Sequence, residues 1–138
     1  IHPDNSWTPT PVLYTAFVAL QDIDDEMGPT LFLPGTNTKE AHQQFFHEDS
    51  QVRTEFCKRV EYCTSSLKKG DVQIMDSRVL HAGLDNRSQD RRRTLFYFTI
   101  RNPRCNPRDF VGVPSGSMYS DVRIDLEDFI SASTSALL

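Results

Sequence analysis

Residues 12–20 constrain the fold of this 138-residue chain more than any other segment. In an extended segment alternate side chains point to opposite sides, and here both sides are largely apolar. A strand with two apolar faces needs cover on both, so the segment predicts an interior β-strand. At this length, and interrupted by Tyr14 and Thr15, it is too short to span a bilayer.

The remaining pattern predicts more strands and three helices, two of which are neighbours in the chain. Strands are expected over residues 30–33, 72–75 and 93–100, and helices over 39–47, from 50 to about 63, and over 121–130. Strands joined by tight turns, with the helices gathered in one insertion, predict an antiparallel β-sandwich or barrel. No repeat or boundary divides the chain, so we expect one domain, with a core over residues 1–101 and a C-terminal extension over 102–138.

Charge and cysteine usage narrow the class of protein. Fifteen basic and nineteen acidic residues give a net charge of −4, which argues against a general nucleic-acid binder. The three cysteines include no Cys-x-x-Cys pair and indicate reduced thiols. With no signal peptide, no transmembrane segment and no peroxisomal tripeptide at the C-terminus, we expect an intracellular, cytoplasmic protein.

Two histidines and one aspartate are the candidate metal ligands. His2 and Asp4 are two residues apart, so on an extended segment both point to the same side. His81, at the end of a predicted strand, can supply a third ligand, and two imidazoles with one carboxylate are typical of non-haem Fe(II) oxygenases. Alternatively, residues 2–4 are a solvated end and His81 is a core histidine; His42 and His47 are expected at the surface.

Three arginines open the aromatic strand at residues 91–93. A guanidinium carried into a barrel demands an anion, and a carboxylate bound through two hydrogen bonds fits best. Arg92 and Thr94 share one side of an extended segment, so they can hold the same carboxylate. Alternatively, the arginines form a basic turn at the surface or a phosphate-binding patch, which suits Arg91 and Arg93.

Together these residues resemble the phytanoyl-CoA dioxygenase family of Fe(II)- and 2-oxoglutarate-dependent oxygenases. The matching segments follow one another in family order between residues 1 and 101: 2–4 (HPD), 12–24, 28–36 (GPTLFLPGT), 70–72 (GDV), 81–83 (HAG), 86–88 (NRS) and 92–95 (RRTL). Two positions depart from the family: Pro3 stands where a polar residue is usual, and Asn37 where a histidine often follows the Pro-Gly-Ser/Thr turn.

The resemblance implies a fold and a set of site residues. The fold is mainly β, a double-stranded β-helix (jelly-roll, cupin-like) core with a helical insertion, incomplete in this chain. The implied catalytic and iron-binding residues are His2, Asp4 and His81. Arg92, with Thr94 beside it, would bind the distal carboxylate of 2-oxoglutarate, and Phe17 would line the cosubstrate pocket.

The resemblance also implies cofactors and an activity. Fe(II), 2-oxoglutarate and O2 would serve a dioxygenase that oxidises a small organic or acyl substrate and releases succinate and CO2. Halogenating relatives have a small residue at the position of Asp4, so hydroxylation or a related oxidation is expected rather than chlorination. The expected partners are a small-molecule substrate, neither nucleic acid nor membrane, and an N-terminal remainder of the same protein that supplies further barrel strands.

Other classes stay open at this point. One is a non-catalytic metal-binding or interaction barrel derived from the same family. Another is a zinc hydrolase with the same ligands, which would leave Arg92 without a role. A β-sandwich interaction domain would bind no metal. Dependence on 2-oxoglutarate separates the dioxygenase from the other three.

Overall fold

The computed structural model describes residues 1–105 and contains two antiparallel three-stranded sheets. In chain order the elements are β1 (Leu13–Ala19), a 3-10 helix (Asp25–Met27), β2 (Thr30–Phe32), α1 (Lys39–Phe45), α2 (Ser50–Arg59), β3 (Cys63–Thr64), β4 (Val72–Asp76), β5 (His81–Gly83) and β6 (Leu95–Arg101). The first sheet has the order β4-β1-β6 and the second the order β3-β2-β5. The mainly β, antiparallel expectation is confirmed; the helix predicted over residues 121–130 lies outside the described residues.

The strand β1 is the interior strand of its sheet, as its two apolar faces predict. It pairs along its length with β6 on one side and with β4 on the other. Residues opposite one another share a face, so Thr15, Met75 and Thr99 lie on one side of the sheet. Thr15 and Met75 are buried there, and the Thr15 and Ser77 hydroxyls lie 3.2 Å apart.

The opposite face of this sheet is apolar, and on its two outer strands, β4 and β6, apolar side chains are exposed among the described residues. Ile74 on β4 is 63% exposed and Phe96 on β6 is 55% exposed, although Ala16 between the strands is buried. The side chains of β1 itself are therefore buried or half-buried on both faces, whereas apolar side chains of the neighbouring strands are exposed among the described residues.

The two helices lie between β2 and β3 in the chain, and both begin at capping residues. The Thr38 hydroxyl accepts a hydrogen bond from Ala41 N–H, and the Asp49 carboxylate accepts one from Gln51 N–H. The helix predicted from residue 50 to about 63 is wrong at its C-terminal end, because α2 ends at Arg59 and Cys63 lies in β3. Phe56 from α2 packs with buried residues of α1, of the segment after β2 and of the segment before β5.

The sequence analysis placed His81 at the end of the strand predicted from residue 72. In the structure that strand, β4, ends at Asp76, and His81 begins a separate strand, β5. A four-residue turn, residues 77–80, carries the chain from β4 in the first sheet to β5 in the second. Leu80 in this turn is completely buried in the cluster with Phe56, so the turn is drawn toward the helices. His81 thereby reaches the second sheet.

The loop between β5 and β6 is held against the segment around the 3-10 helix. Arg91 donates to the Asp24 and Glu26 carboxylates at 2.5 and 2.9 Å. Gly28, with φ 66°, lies so close to this loop that a Cβ there would be 2.4 Å from the Leu84 carbonyl oxygen.

Among the described residues no helix is long and apolar enough to cross a membrane.

Candidate metal centre

His2 and His81 are brought together by backbone pairing. Each N–H donates to the carbonyl oxygen of the other residue, at 2.9 and 3.0 Å, in an isolated antiparallel bridge. The bridge extends the second sheet beyond β5, which pairs with β2 on its other side. The two imidazole rings lie 4.6 Å apart between centroids, at 61° to each other.

Asp4 completes a cluster that can hold a metal ion. One ligand atom each from His2, Asp4 and His81 lies within 4.8 Å of the others. The Asp4 Oδ1 is 3.4 Å from His81 Nε2 and 3.8 Å from His2 Nδ1. His81 is buried, Asp4 is half-buried and His2 is exposed, so the cluster opens to solvent on the His2 side. Two imidazoles and one carboxylate are a donor set that suits non-haem Fe(II).

The contacts of His81 orient its ring for this purpose. Its Nδ1 donates to the Val79 carbonyl oxygen at 2.9 Å, because a carbonyl can only accept. Nδ1 thus has the hydrogen bond to a carbonyl that the second nitrogen of a ligating histidine usually makes, and Nε2, which faces Asp4 Oδ1 at 3.4 Å, is the nitrogen that can ligate a metal. Burial lowers the pKa of His81, but hydrogen bonds with Asp4 and Val79 outweigh burial and raise the pKa above its ordinary value.

Asp4 is positioned through its backbone. Its N–H donates to the Ser77 carbonyl oxygen at 2.8 Å, and the Asn5 N–H approaches the same oxygen at 3.3 Å. Ser77 is completely buried beneath β1, and its own N–H donates to the Leu13 carbonyl at 3.1 Å. The segment that carries His2 and Asp4 is therefore held at both His81 and Ser77, although it lies at the edge of the described residues.

The residues expected to bind 2-oxoglutarate are more dispersed. Phe17 is half-buried on β1, on the same face as Thr15, with its ring 6.2 Å from Tyr97. Arg92 and Thr94 are exposed and precede β6, which begins at Leu95. The structure thus places Phe17 on the inner face of the sheet and gives Arg92 and Thr94 exposed positions just outside it.

Arg93 is the neighbouring residue that the sequence analysis assigned to the surface, and it lies inward instead. It is half-buried, and its Nη1 is buried without a hydrogen-bond partner among residues 1–105. Its Nη2 would be 3.9 Å from a Cβ on Gly83, two residues beyond His81. Alternation along an extended segment places Arg93 on the same face as Leu95 and Tyr97 of β6. On β1 these two residues pair with Ala19 and Phe17, so Arg93 lies on the face of the sheet that carries Phe17.

His42 and His47, which the sequence analysis expected at the surface, differ in their burial. His47 is exposed, as expected. The surface position expected for His42 is wrong: it is 6% exposed, and its Nε2 donates to the Arg78 carbonyl oxygen at 2.8 Å. His42 lies on α1, on the side that packs toward the turn before His81, so tertiary packing rather than sequence spacing buries it.

The fold and the cluster define a class of protein: a mainly β chain with a candidate two-histidine, one-carboxylate metal centre. Within that class the chain belongs to the phytanoyl-CoA dioxygenase (PhyH) family, which its residues 2–94 match. This match covers more than half of the chain and includes all three residues of the cluster. Comparison with curated proteins gave no match.

Solved structures with the same fold are longer than this chain. AviO1 from Streptomyces viridochromogenes Tue57 is 19% identical, with a TM-score of 0.55 over 77% of this chain and 44% of its own. The non-heme alpha ketoglutarate dependent carbocyclase SnoK from nogalamycin biosynthesis is 22% identical, with a TM-score of 0.50 over 71% of this chain and 39% of its own. The chain therefore spans less than half the length of either structure.

Proposed function

We propose that this chain carries the Fe(II)- and 2-oxoglutarate-binding part of a non-haem dioxygenase that oxidises a small organic or acyl substrate. The observation that carries the proposal is the cluster of His2, Asp4 and His81, whose ligand atoms lie within 4.8 Å of one another. Membership of the phytanoyl-CoA dioxygenase family supports it. The name of SnoK, an alpha ketoglutarate dependent enzyme of similar fold, supports the same cosubstrate.

In this proposal His2, Asp4 and His81 hold the iron and leave its remaining positions open for other ligands. Bound there, Fe(II) with 2-oxoglutarate and O2 would supply oxidising chemistry, with succinate and CO2 as the products of the cosubstrate. The Val79 carbonyl keeps the hydrogen on His81 Nδ1, so that Nε2 is free to ligate. Asp4 provides the anionic ligand, and for that reason we propose hydroxylation rather than chlorination.

The distal carboxylate of 2-oxoglutarate needs a guanidinium within reach of the iron. Arg92 and Thr94 are proposed from the family resemblance, and both are exposed. Arg93 is a second candidate, supported by its buried, unpartnered Nη1 among residues 1–105 and by its position beside Gly83 on the strand of His81. A buried guanidinium without an anion is costly, so a bound carboxylate would satisfy this group.

The fold also supports a larger architecture. We propose that the sheets β4-β1-β6 and β3-β2-β5 are the two layers of a double-stranded β-helix. The isolated bridge at His2 supports this proposal, because it pairs one residue beside β5 in the position that a further antiparallel strand would take. The single domain over residues 1–138, with an N-terminal remainder completing the barrel and the substrate pocket, stays part of the proposal.

Anaerobic titration of the full-length protein with Fe(II), with and without 2-oxoglutarate, tests this function. We expect a visible charge-transfer band only when both are present, and its loss in His81→Ala. A matched control is His47→Ala, which replaces an exposed histidine outside the cluster. A folded full-length protein that shows no band would contradict the proposal and favour a non-catalytic barrel of the same family.

If the protein binds both Fe(II) and 2-oxoglutarate, a turnover assay separates a dioxygenase from a non-catalytic barrel. Asp4→Ala removes the anionic ligand, so we expect succinate formation from 2-oxoglutarate to fall to background. The matched control is Asp71→Ala, an exposed carboxylate in the turn before β4. Full succinate formation in Asp4→Ala would refute the ligand assignment, whereas more succinate from the parent than from Asp4→Ala would support the dioxygenase over a non-catalytic barrel.

A further inference from the structure

The turn between β4 and β5 contacts both halves of the candidate metal centre through its backbone. The Ser77 carbonyl oxygen accepts a hydrogen bond from Asp4 N–H at 2.8 Å, and the Val79 carbonyl oxygen accepts one from His81 Nδ1 at 2.9 Å. Arg78 lies between these two carbonyls in the chain. A change in the conformation of the turn would therefore move Asp4 and His81 relative to each other.

The Arg78 side chain is buried and joins the turn to the loop that follows Asp4. Its Nη2 donates to Asp76 Oδ2 at 2.5 Å and its Nε to Asp76 Oδ1 at 3.0 Å. Its Nη1 donates to the Thr8 carbonyl oxygen at 2.6 Å. A buried guanidinium with fixed partners on two segments restrains both, because breaking either contact leaves a charge or a carbonyl unpaired.

The backbone of Arg78 and the carboxylate of Asp76 are held from the helical side as well. His42 on α1 donates from Nε2 to the Arg78 carbonyl at 2.8 Å, and Asn37 donates from Nδ2 to Asp76 Oδ2 at 3.1 Å. Asp76, its neighbour Arg78 and the Thr8 carbonyl thus form one network, which spans the helical insertion, the turn and the loop after Asp4.

We propose that Arg78 is a positioning residue for the candidate metal centre. By holding the β4–β5 turn against Asp76 and the Thr8 carbonyl, it sets the separation of Asp4 Oδ1 and His81 Nε2, which is 3.4 Å. The inference rests on the proposed function, since it requires a cation at the cluster. Residues that orient metal ligands from outside the coordination sphere change metal affinity by about 10- to 100-fold when they are replaced.

The test uses the full-length protein and Co(II) alone, followed by its visible spectrum, with thermal unfolding measured in parallel. Arg78→Met leaves the charged, largely desolvated Asp76 carboxylate without its cationic partner, so it is expected to lower the unfolding midpoint as well as metal affinity. Arg78→Met combined with Asp76→Leu removes both charges, and such a replacement of a buried pair is often neutral for stability. The control is Arg59→Met, at an exposed arginine that donates to Gln44.

In the double variant we expect an unfolding midpoint close to the parent's, a Co(II) dissociation constant raised about 10- to 100-fold and an altered visible spectrum. Arg59→Met should change neither binding nor spectrum. Parental Co(II) affinity in a stable double variant would overturn the proposal, because Arg78 would then act on stability alone.

A conservative variant keeps the test decisive if the double variant does not fold. Arg78→Lys keeps a cation beside Asp76 but loses the forked guanidinium that also reaches Thr8. Weakened Co(II) binding in this variant supports the proposal, and parental binding overturns it. If the parent binds no more Co(II) than His81→Ala does, the proposed function itself fails and this inference fails with it.

Discussion

At the scale of single residues, three adjacent arginines before β6 have three different environments. Arg91 is paired with Asp24 and Glu26, Arg92 is exposed, and Arg93 has a buried Nη1 without a partner among residues 1–105. Their chemistry is identical, so the direction in which each side chain leaves the backbone decides which of them an anion can reach.

The first prediction concerns Arg93 and Arg92. If Arg93 binds the distal carboxylate, Arg93→Ala should raise the apparent KM for 2-oxoglutarate by at least about 10-fold, since a charge-assisted hydrogen bond contributes about 1.5–3 kcal/mol. Arg92→Ala is the matched control and should change KM little. Measured succinate formation against 2-oxoglutarate concentration decides between them; the reverse order of effects would assign the role to Arg92, with Thr94.

At the scale of elements, the close approach of the β5–β6 loop depends on Gly28. This glycine has a positive φ, and a Cβ there would lie 2.4 Å from the backbone oxygens of both Leu84 and Asp85. Backbone atoms cannot move aside as the end of a flexible side chain can. The loop that leads to the three arginines is therefore packed on a position that only glycine fits.

The second prediction follows from that contact. Gly28→Ala should lower the free energy of unfolding by more than the about 1–3 kcal/mol expected for a residue in a sparsely populated backbone region. Gly35→Ala provides the control, because Gly35 has φ 77° and nothing within 4 Å of the added Cβ. Chemical denaturation of both variants separates the contact from the backbone strain, and equal losses would contradict the packing argument.

The third prediction concerns acid stability and the end of β4. Burial raises the pKa of Asp76, but hydrogen bonds from Arg78 and then from Asn37 outweigh it and leave the pKa below its ordinary value. Because the unfolded state then binds the proton more readily, Asp76 contributes stability that is present above the unfolded pKa of about 3.9 and is lost as pH falls through the lower folded value.

Unfolding midpoints measured from pH 6 down to the lowest pH at which the protein is folded test this predicted loss of stability with falling pH. The parent should lose stability more steeply in the acid part of the range than Asp76→Asn, which cannot titrate there. Asp49→Asn, at an exposed helix cap, serves as the control. Identical pH dependence in the parent and in Asp76→Asn would contradict the pairing of Asp76 with Arg78.

At the scale of the whole molecule, one face of the sheet β4-β1-β6, called the open face below, carries apolar side chains that are exposed on both outer strands among the described residues. On the open face the register aligns Val72, Val18 and Phe96 in one row, and the next row joins Ile74 to Phe98 through Ala16. Val72, Ile74, Phe96 and Phe98 are all exposed among the described residues. A contiguous apolar surface of this kind promotes association in water.

The fourth prediction is that these 138 residues, expressed by themselves, self-associate in a concentration-dependent way. Placing a charge in the row, as in Ile74→Lys, should shift sedimentation equilibrium toward the monomer. Tyr62→Lys is the control, because Tyr62 is 70% exposed but lies outside this sheet. A parent that remains monomeric at all concentrations would show that this face does not drive association.

Local patterns were enough for much of the fold and for part of the candidate site. Alternation over residues 12–20 predicted the interior strand β1, and the residue pattern predicted the two neighbouring helices. The spacing of His2 and Asp4 indicated a shared side, and the family motifs supplied His81 as the third candidate ligand. Apart from His81, which depends on the family resemblance, these features depend on neighbours within a few residues, which the sequence shows directly.

Only the tertiary structure decided how distant segments meet. It placed His81 in the second sheet across a bridge to His2, buried His42 against the Arg78 carbonyl and turned Arg93 inward toward β5. Each of these outcomes depends on which segments close against each other, and on the burial of Leu80 in the helical cluster that directs the turn. Side-chain chemistry and spacing are local properties of a chain, whereas burial and pairing between distant segments, such as His2 with His81 or His42 with Arg78, are properties of the packed molecule.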